Sequence, residues 1–354
     1  MKKIFLIFRW IIGVLFIFSG LIKANDPSGL SYKMQEFFEA WGTTQFNPLS
    51  LYLSFAMNTF EIVAGVAILV GWRYKLTLKL LLLLIIFFTF LTGYALLSGK
   101  IATCGCFGDC LPLTPVQSFL KDIFLLILIL VLLIFKNHYE TKNIIAFRFV
   151  LSSFLFTIIL QWYVLLHLPF LDCLPYKINK DIIKQMEMPA NAIPDKVAIF
   201  FKYQKNGKII EFEQTHFPED FDNSYTFIER KDKVIEKGNG LKAAISDFAL
   251  KNSNGVDTTN AIFNLAGKYM LVFSLYTDKY THWDNLLSKL KQKNMPYFIV
   301  TADVETAKNI LPNEPILQAD ATNIKTAARV NPTVFLMDKS IIKNKKAASD
   351  LAGL

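Results

Sequence analysis

The second half of this 354-residue chain contains no cysteine: the four are Cys104, Cys106, Cys110 and Cys173. A C-terminal half without a thiol cannot run dithiol chemistry of its own. Histidine is equally scarce, with four in the chain and none in the stretch CGCFGDC (104–110). The C-x-C-x3-C spacing is also not the paired C-x2-C knuckle of a zinc site, so a metal centre finds little support. No basic stripe carries interleaved aromatics, and the net charge of +9 therefore does not point to nucleic acid. No internal repeat is visible and charges within the apolar runs are few, which weighs against a small-molecule transporter.

What is present is hydrophobic. Apolar residues make up 53% of the chain and the mean hydropathy is +0.35, high for a soluble protein. The excess lies in the first 168 residues, while from about 177 onward Lys, Asp, Glu and Asn are interspersed as in a soluble domain. A spanning helix needs about 20 mostly apolar residues, and five segments qualify: 4–22, 49–72, 78–97, 116–135 and 144–166. Arg9 interrupts the first apolar core and no small-x-small cleavage site follows before Lys23, so the start reads as an uncleaved helix rather than a signal peptide. Lys2 and Lys3, then Arg73, Lys75 and Lys79, then Lys136, Lys142 and Arg148 flank the runs on one common side. The positive-inside bias makes that side the cytoplasm. Loop 23–48, the cysteine cluster and everything after the fifth helix are then expected on the extracytoplasmic face.

Polar residues inside such helices are costly and are functional candidates by default. Glu61 lies mid-way along the second run with Asn58 one turn earlier, and Arg9 lies in the first run. Arg9 and Glu61 are expected to meet across antiparallel neighbours. Such a pair either sets helix register or serves as a proton or quinone-headgroup site. Gly13, Ser19, Gly20, Gly65 and Gly71 suit close helix packing.

Three stretches together, RWIIGVLFIFSGLIKANDPSG, EIVAGVAILVGW and CGCFGD, resemble the DoxX-like and MauE-like family of small bacterial membrane proteins over residues 1–136. The family-type positions are Arg9, Gly13, Ser19, Gly20, Lys23, Asp26, Pro27, Glu61, Gly65, Gly71, Cys104, Gly105, Cys106, Phe107 and Gly108. The resemblance implies a four-helix membrane bundle linked to thiol or sulfur redox, with Cys104 and Cys106 as the redox pair. It implies no firm cofactor; a quinone in the bundle enters by analogy alone. A fifth helix followed by a soluble tail resembles the subset with an appended thioredoxin-like domain.

The tail supports that expectation in part. KVAIFFKYQKNGKIIEFE reads as a hairpin about Asn206-Gly207, within a small β-rich segment over 177–240. From 241 to 354, YMLVFSL, an amphipathic stretch from 278 to 294, PYFIVTA, VETAKNIL and NPTVFLMDKSIIKNK give strand, helix, strand, helix, then two strands. Pro332 is the expected cis-proline of a thioredoxin-like fold. The stretch YTDKYTHW, where such a fold keeps its dithiol, has no cysteine.

The expected architecture is thus a membrane all-α bundle (1–136), a fifth helix and exit (137–176), the β-rich segment and a soluble α/β thioredoxin-like domain lacking CxxC. The cysteine loop keeps two readings. In one, Cys104 and Cys106 exchange disulfides, with Cys110 and Cys173 as accessory thiols and Cys110 as a resolving thiol. In the other, the cysteines brace the bundle, with the loop tied to Cys173. Expected partners are the lipid bilayer and either a periplasmic thiol protein or an extended peptide gripped near Pro332. The rival to a redox component is a non-catalytic membrane scaffold whose tail binds a partner protein.

Overall fold

The computed structural model describes residues 2–101, 103, 105–134 and 144–353. Cys104, and residues 135–143 with Lys136 and Lys142, lie outside the described residues. Six helices open the chain: α1 (Lys2–Asn25), α2 (Pro27–Ala40), α3 (Ser50–Val70), α4 (Tyr74–Ser98), α5 (Pro115–Ile134) and α6 (Ile144–Leu166). All but α2 are long and apolar enough to cross a membrane. Gly71 and Gly99 end α3 and α4 in the left-handed conformation, with φ of 74° and 63°, the C-terminal signal that glycine favours. Leu83, Phe90, Ile127 and Ile159 are exposed along the spans, as a hydrocarbon solvent permits.

The expected loop between the first two spans is instead α2. Asp26 caps it, its carboxylate accepting from the Gly29 amide at 2.9 Å, and Pro27 stands at the first helical position. That pairing was readable, but an apolar-run search passes over a helix of mixed polarity.

α1 and α3 pack backbone to backbone. A Cβ on Gly65 would come within 2.8 Å of the Gly13 carbonyl oxygen, and one on Gly20 within 2.6 Å of Ile62 Cγ1. Gly13, Gly20 and Gly65 thus serve the close approach expected of them, whereas Gly71 is a helix terminator. Ile12, Ile68, Leu81, Ile85 and Ile129 are fully buried in the core built by α1, α3, α4 and α5. α6 joins α3 through polar groups: Asn58 Nδ2 donates to Gln161 Oε1 at 3.0 Å and Gln161 Nε2 to Thr59 Oγ1 at 3.0 Å.

Residues 180–248 form a compact unit of their own, while 1–179 and 249–354 form another. The bundle and the α/β segment fall in the larger of these units, and the β-rich segment makes up the smaller. It holds the single turn α7 (Ile182–Met186) and strands β1 (Lys196–Lys205), β2 (Lys208–Glu213) and β3 (Thr226–Glu236), in the order β2-β1-β3. The β1–β2 turn has φ of 49° at Asn206 and 76° at Gly207, the paired positive values of a primed hairpin turn. Tyr203 stacks on Phe212 at 5.4 Å and meets Phe221 edge-on at 5.1 Å.

In the larger unit, α8 (Thr259–Phe263) leads to β4 (Lys268–Phe273), α9 (Trp283–Gln292), β5 (Tyr297–Thr301), α10 (Val304–Ile310), β6 (Ile316–Gln318), α11 (Ala321–Ala327), β7 (Thr333–Asp338) and β8 (Ile341–Ala347). The sheet order is β6-β5-β4-β7-β8. β4, β5 and β6 are parallel; β7 pairs antiparallel with both β4 and β8. Met270 and Val272 of β4 face a core shared with Trp283, Leu286 and Leu290 of α9. Both faces of β4 are buried, as parallel strands require. The sequence reading omits β6, which is only three residues long, and α11. Ahead of α8 the chain forms isolated bridges, Lys251 pairing with Asp257 and with Gln318.

The glycine contact makes a direct prediction. Gly65→Ala places a methyl against the α1 backbone and should cost about 1–3 kcal/mol, read as a lower thermal-unfolding midpoint in detergent. An unchanged midpoint would show that the helices separate freely.

Candidate functional site

The cysteine loop lies between the glycine cap of α4 and Pro115 at the start of α5. Its turn is closed by Gly108 N–H donating to the Gly105 carbonyl at 3.0 Å, with φ of 68° at Gly105 and 54° at Gly108. Glycine suits both positions because left-handed backbone disfavours a side chain. Phe107 anchors the turn, with its ring 5.7 Å from that of Phe18 on α1. Cys110 is joined to Cys173 by a disulfide, with Cα atoms 4.8 Å apart, whereas Cys106 carries a free thiol. The two expected accessory cysteines are thus bonded to each other in this structure. Chain topology could not show this in advance, because only packing brings residues 63 apart in sequence within bonding distance.

Buried charge lies beneath the loop. Lys23 of α1 pairs with Glu61 of α3, and both are almost fully buried. The Ser19 hydroxyl sits 2.9 Å from Glu61 Oε2 and 2.9 Å from the Cys106 carbonyl oxygen. Having one proton, it donates to one of these acceptors at a time. A second pair, Lys121–Asp122 of α5, has N and O 2.7 Å apart, and Thr92 Oγ1 lies 3.0 Å from the Asp122 carboxylate.

The expected Arg9–Glu61 pair does not form. Antiparallel packing sets Gly13 against Gly65 and Gly20 against Ile62, which puts Ser19 and Lys23 beside Glu61 and Arg9 beside the end of α3. There Arg9 Nε donates to the Ile68 carbonyl at 2.6 Å and Nη2 to the Leu69 carbonyl. A cation on the last-turn carbonyls complements the helix dipole. Lys121 and Asp122 escaped the sequence reading, although adjacent charges inside an apolar run were a visible signal. Arg329, which bonds Asp109 of the loop, carried none.

A pocket with about 500 Å³ of empty space, mouth included, opens beside the loop. Met34 and Phe37 of α2 and Phe88 and Leu91 of α4 supply apolar walls, while Lys33, Lys121 and Cys106 bring polar groups to it. Burial pushes the Cys106 thiol above its ordinary value; Lys121, Lys23 and the Ser118 hydroxyl pull it down, and Asp122 adds to the rise. Both ammonium groups are already paired, Lys33 with Glu36 and Lys121 with Asp122, and each keeps further N–H donors beside the apolar walls.

In the α/β segment the Asn331–Pro332 bond is cis. Ser274 Oγ donates to Asn331 Oδ1 at 2.9 Å, and Asn331 Nδ2 to the Tyr276 carbonyl at 2.9 Å. The stretch after β4 is thus tied to the proline loop by hydrogen bonds of the Asn331 side chain and holds no thiol.

Residues 1–135 match the family described as Methylamine utilisation protein MauE. Residues 197–237, which include most of the three-stranded sheet, match a domain of unknown function (DUF8463). The chain is 27% identical over 143 residues to Protein TlpB of Flavobacterium psychrophilum, an overlap of 38% of this chain and 38% of that relative's length. No solved structure matches the chain. With its five helices of spanning length, this is a membrane protein with a MauE-like bundle and a soluble α/β region.

Two outcomes follow. Lys23→Met and Glu61→Leu each strand a buried charge and should cost about 3–5 kcal/mol, with the double variant recovering much of the loss; thermal unfolding in detergent measures the cycle. Because burial favours the neutral thiol, Cys106 alkylation in a Cys104→Ser background should follow a rate–pH curve displaced to higher pH than in the urea-denatured chain. Coincident curves would contradict this.

Proposed function

We propose that this protein is a thiol–disulfide redox component of a bacterial inner membrane, with its amino terminus in the cytoplasm and its cysteine loop and α/β segment in the periplasm. The observation that carries the reading is the placement of Cys106: a free thiol lining an amphipathic pocket beside buried lysines, next to a cysteine pair already closed as a disulfide. Lys and Arg at one set of helix ends support the orientation, and a Cys110–Cys173 disulfide suits an oxidising compartment. The sheet order, the cis-proline before β7 and the likeness to Protein TlpB support reading the α/β segment as thioredoxin-like.

In this reading Cys104 and Cys106 form the exchanging pair. A thiolate of a periplasmic partner attacks their disulfide; one S–S bond breaks as a mixed disulfide forms. The partner's second thiol then resolves it, leaving the partner oxidised and both loop cysteines reduced. Reoxidation of the pair releases two electrons and two protons, and a quinone-class headgroup, if held in the pocket, would supply the two-electron, two-proton acceptor. Lys121 and Lys33, paired with Asp122 and Glu36, would turn their remaining N–H donors to its carbonyl oxygens, and the apolar residues of α2 and α4 would pack against its ring. A scaffold without chemistry is favoured by one observation, the bracing Cys110–Cys173 bond, and requires Cys106 to hold a single redox state.

The test is to trap cysteines in cells with an alkylating mass tag, before and after quinone depletion, in the wild type and in Cys104→Ser/Cys106→Ser. The expected result is a Cys104/Cys106 population that becomes more reduced on depletion while Cys110 and Cys173 stay oxidised. A pair held in one state under every condition would favour the scaffold.

A further inference from the structure

We propose that the face of the α/β segment around Arg329 is a clamp for the chain's own cysteine loop, with Arg329 as the positioning residue that restricts access to Cys106. The side chain of Arg329 is only 7% exposed and uses all three of its nitrogens. Nε donates to Asp26 Oδ2 at 2.7 Å, Nη2 to Asp109 Oδ2, and Nη1 to the Lys325 carbonyl at 2.8 Å. One guanidinium thus joins the cap of α2, the cysteine loop and the end of α11. Its planar fork suits this role, because a lysine ammonium cannot hold two carboxylates in fixed directions.

The surroundings are built to the same end. Tyr32 of α2 lies under both Arg329 and Lys325, at 5.4 Å and 5.2 Å from its ring centroid, and burial pushes its phenol up to about 12. Ser28 Oγ donates to the Arg329 carbonyl at 3.3 Å. At Gly29 a Cβ would lie 2.6 Å from Asp26 Oδ2 and 3.3 Å from Arg329 Nη2, so a side chain there would crowd the pair.

A second ion pair repeats the arrangement across the disulfide. Lys345 of β8, buried to 4% exposure, places Nζ 3.0 Å from Asp172. Each half-cystine is therefore preceded by an aspartate held by a basic residue of the α/β segment: Asp109 before Cys110, and Asp172 before Cys173. Two ion pairs and one disulfide hold the loop and the exit of α6 together.

The test uses the full-length protein in detergent, in a Cys104→Ser background, and reads accessibility rather than turnover. It therefore stands whether or not Cys106 cycles. A neutral maleimide reports Cys106, and dithiothreitol reports the Cys110–Cys173 bond. Arg329→Gln should raise both rates about tenfold or more by freeing the loop to open locally. Rates within twofold of the parent would overturn the clamp. Arg329→Gln also strands two carboxylates, so Asp26→Asn and Asp109→Asn are added to it. Rates that stay high in this triple variant support positioning by the arginine fork. A return to slow rates would show that only charge compensation is at work and would overturn the proposal.

Discussion

α1 and α3 meet through Gly13, Gly20 and Gly65, and their antiparallel register decides what each buried charge touches. In hydrocarbon no water can accommodate a misplaced ammonium or carboxylate, so register and charge pairing must agree. The glycines let the backbones approach, and the approach sets Ser19 and Lys23 beside Glu61. Arg9, more than two turns away along the helix axis, meets the α3 carbonyls instead. Because Ser19 also lies beside the Cys106 carbonyl oxygen, the same register supports the underside of the cysteine loop.

The four cysteines divide into unlike parts. Cys110 and Cys173 are a cross-link between the loop and the exit of α6, while Cys106 is turned toward the pocket. The bracing reading has its bond in Cys110–Cys173, and the proposed redox chemistry rests on other residues of the cluster. A loop tied at one end by a disulfide and at its turn by Phe107 presents a thiol on a fixed backbone. Such preorganisation suits exchange chemistry better than a mobile loop would.

The α/β segment contributes no thiol but does contribute order. Its core of Met270, Val272, Leu286 and Leu290 is accompanied by two basic residues, Arg329 and Lys345, whose ion-pair partners Asp26, Asp109 and Asp172 belong to the membrane-proximal part of the chain. Buried ion pairs of this kind specify geometry more than they add stability. A segment without a cysteine thus bonds the two aspartates that precede Cys110 and Cys173.

The five spans, the missing dithiol, the Asn206-Gly207 turn and the candidate cis-proline were legible in the amino-acid order, because each depends on local composition or short-range backbone preference. Apolar run length alone marks a span, and positive φ at Asn and Gly alone marks a hairpin. Helix α2, strand β6 and helix α11 were missed because they are short or of mixed polarity and take their stability from neighbours. The pairing of Lys23 with Glu61, of Cys110 with Cys173 and of Arg329 with Asp26 and Asp109 was settled only by tertiary structure. Those partners lie 38 to 303 residues apart, and no local preference carries information over such distances. Only the packing register brings them together.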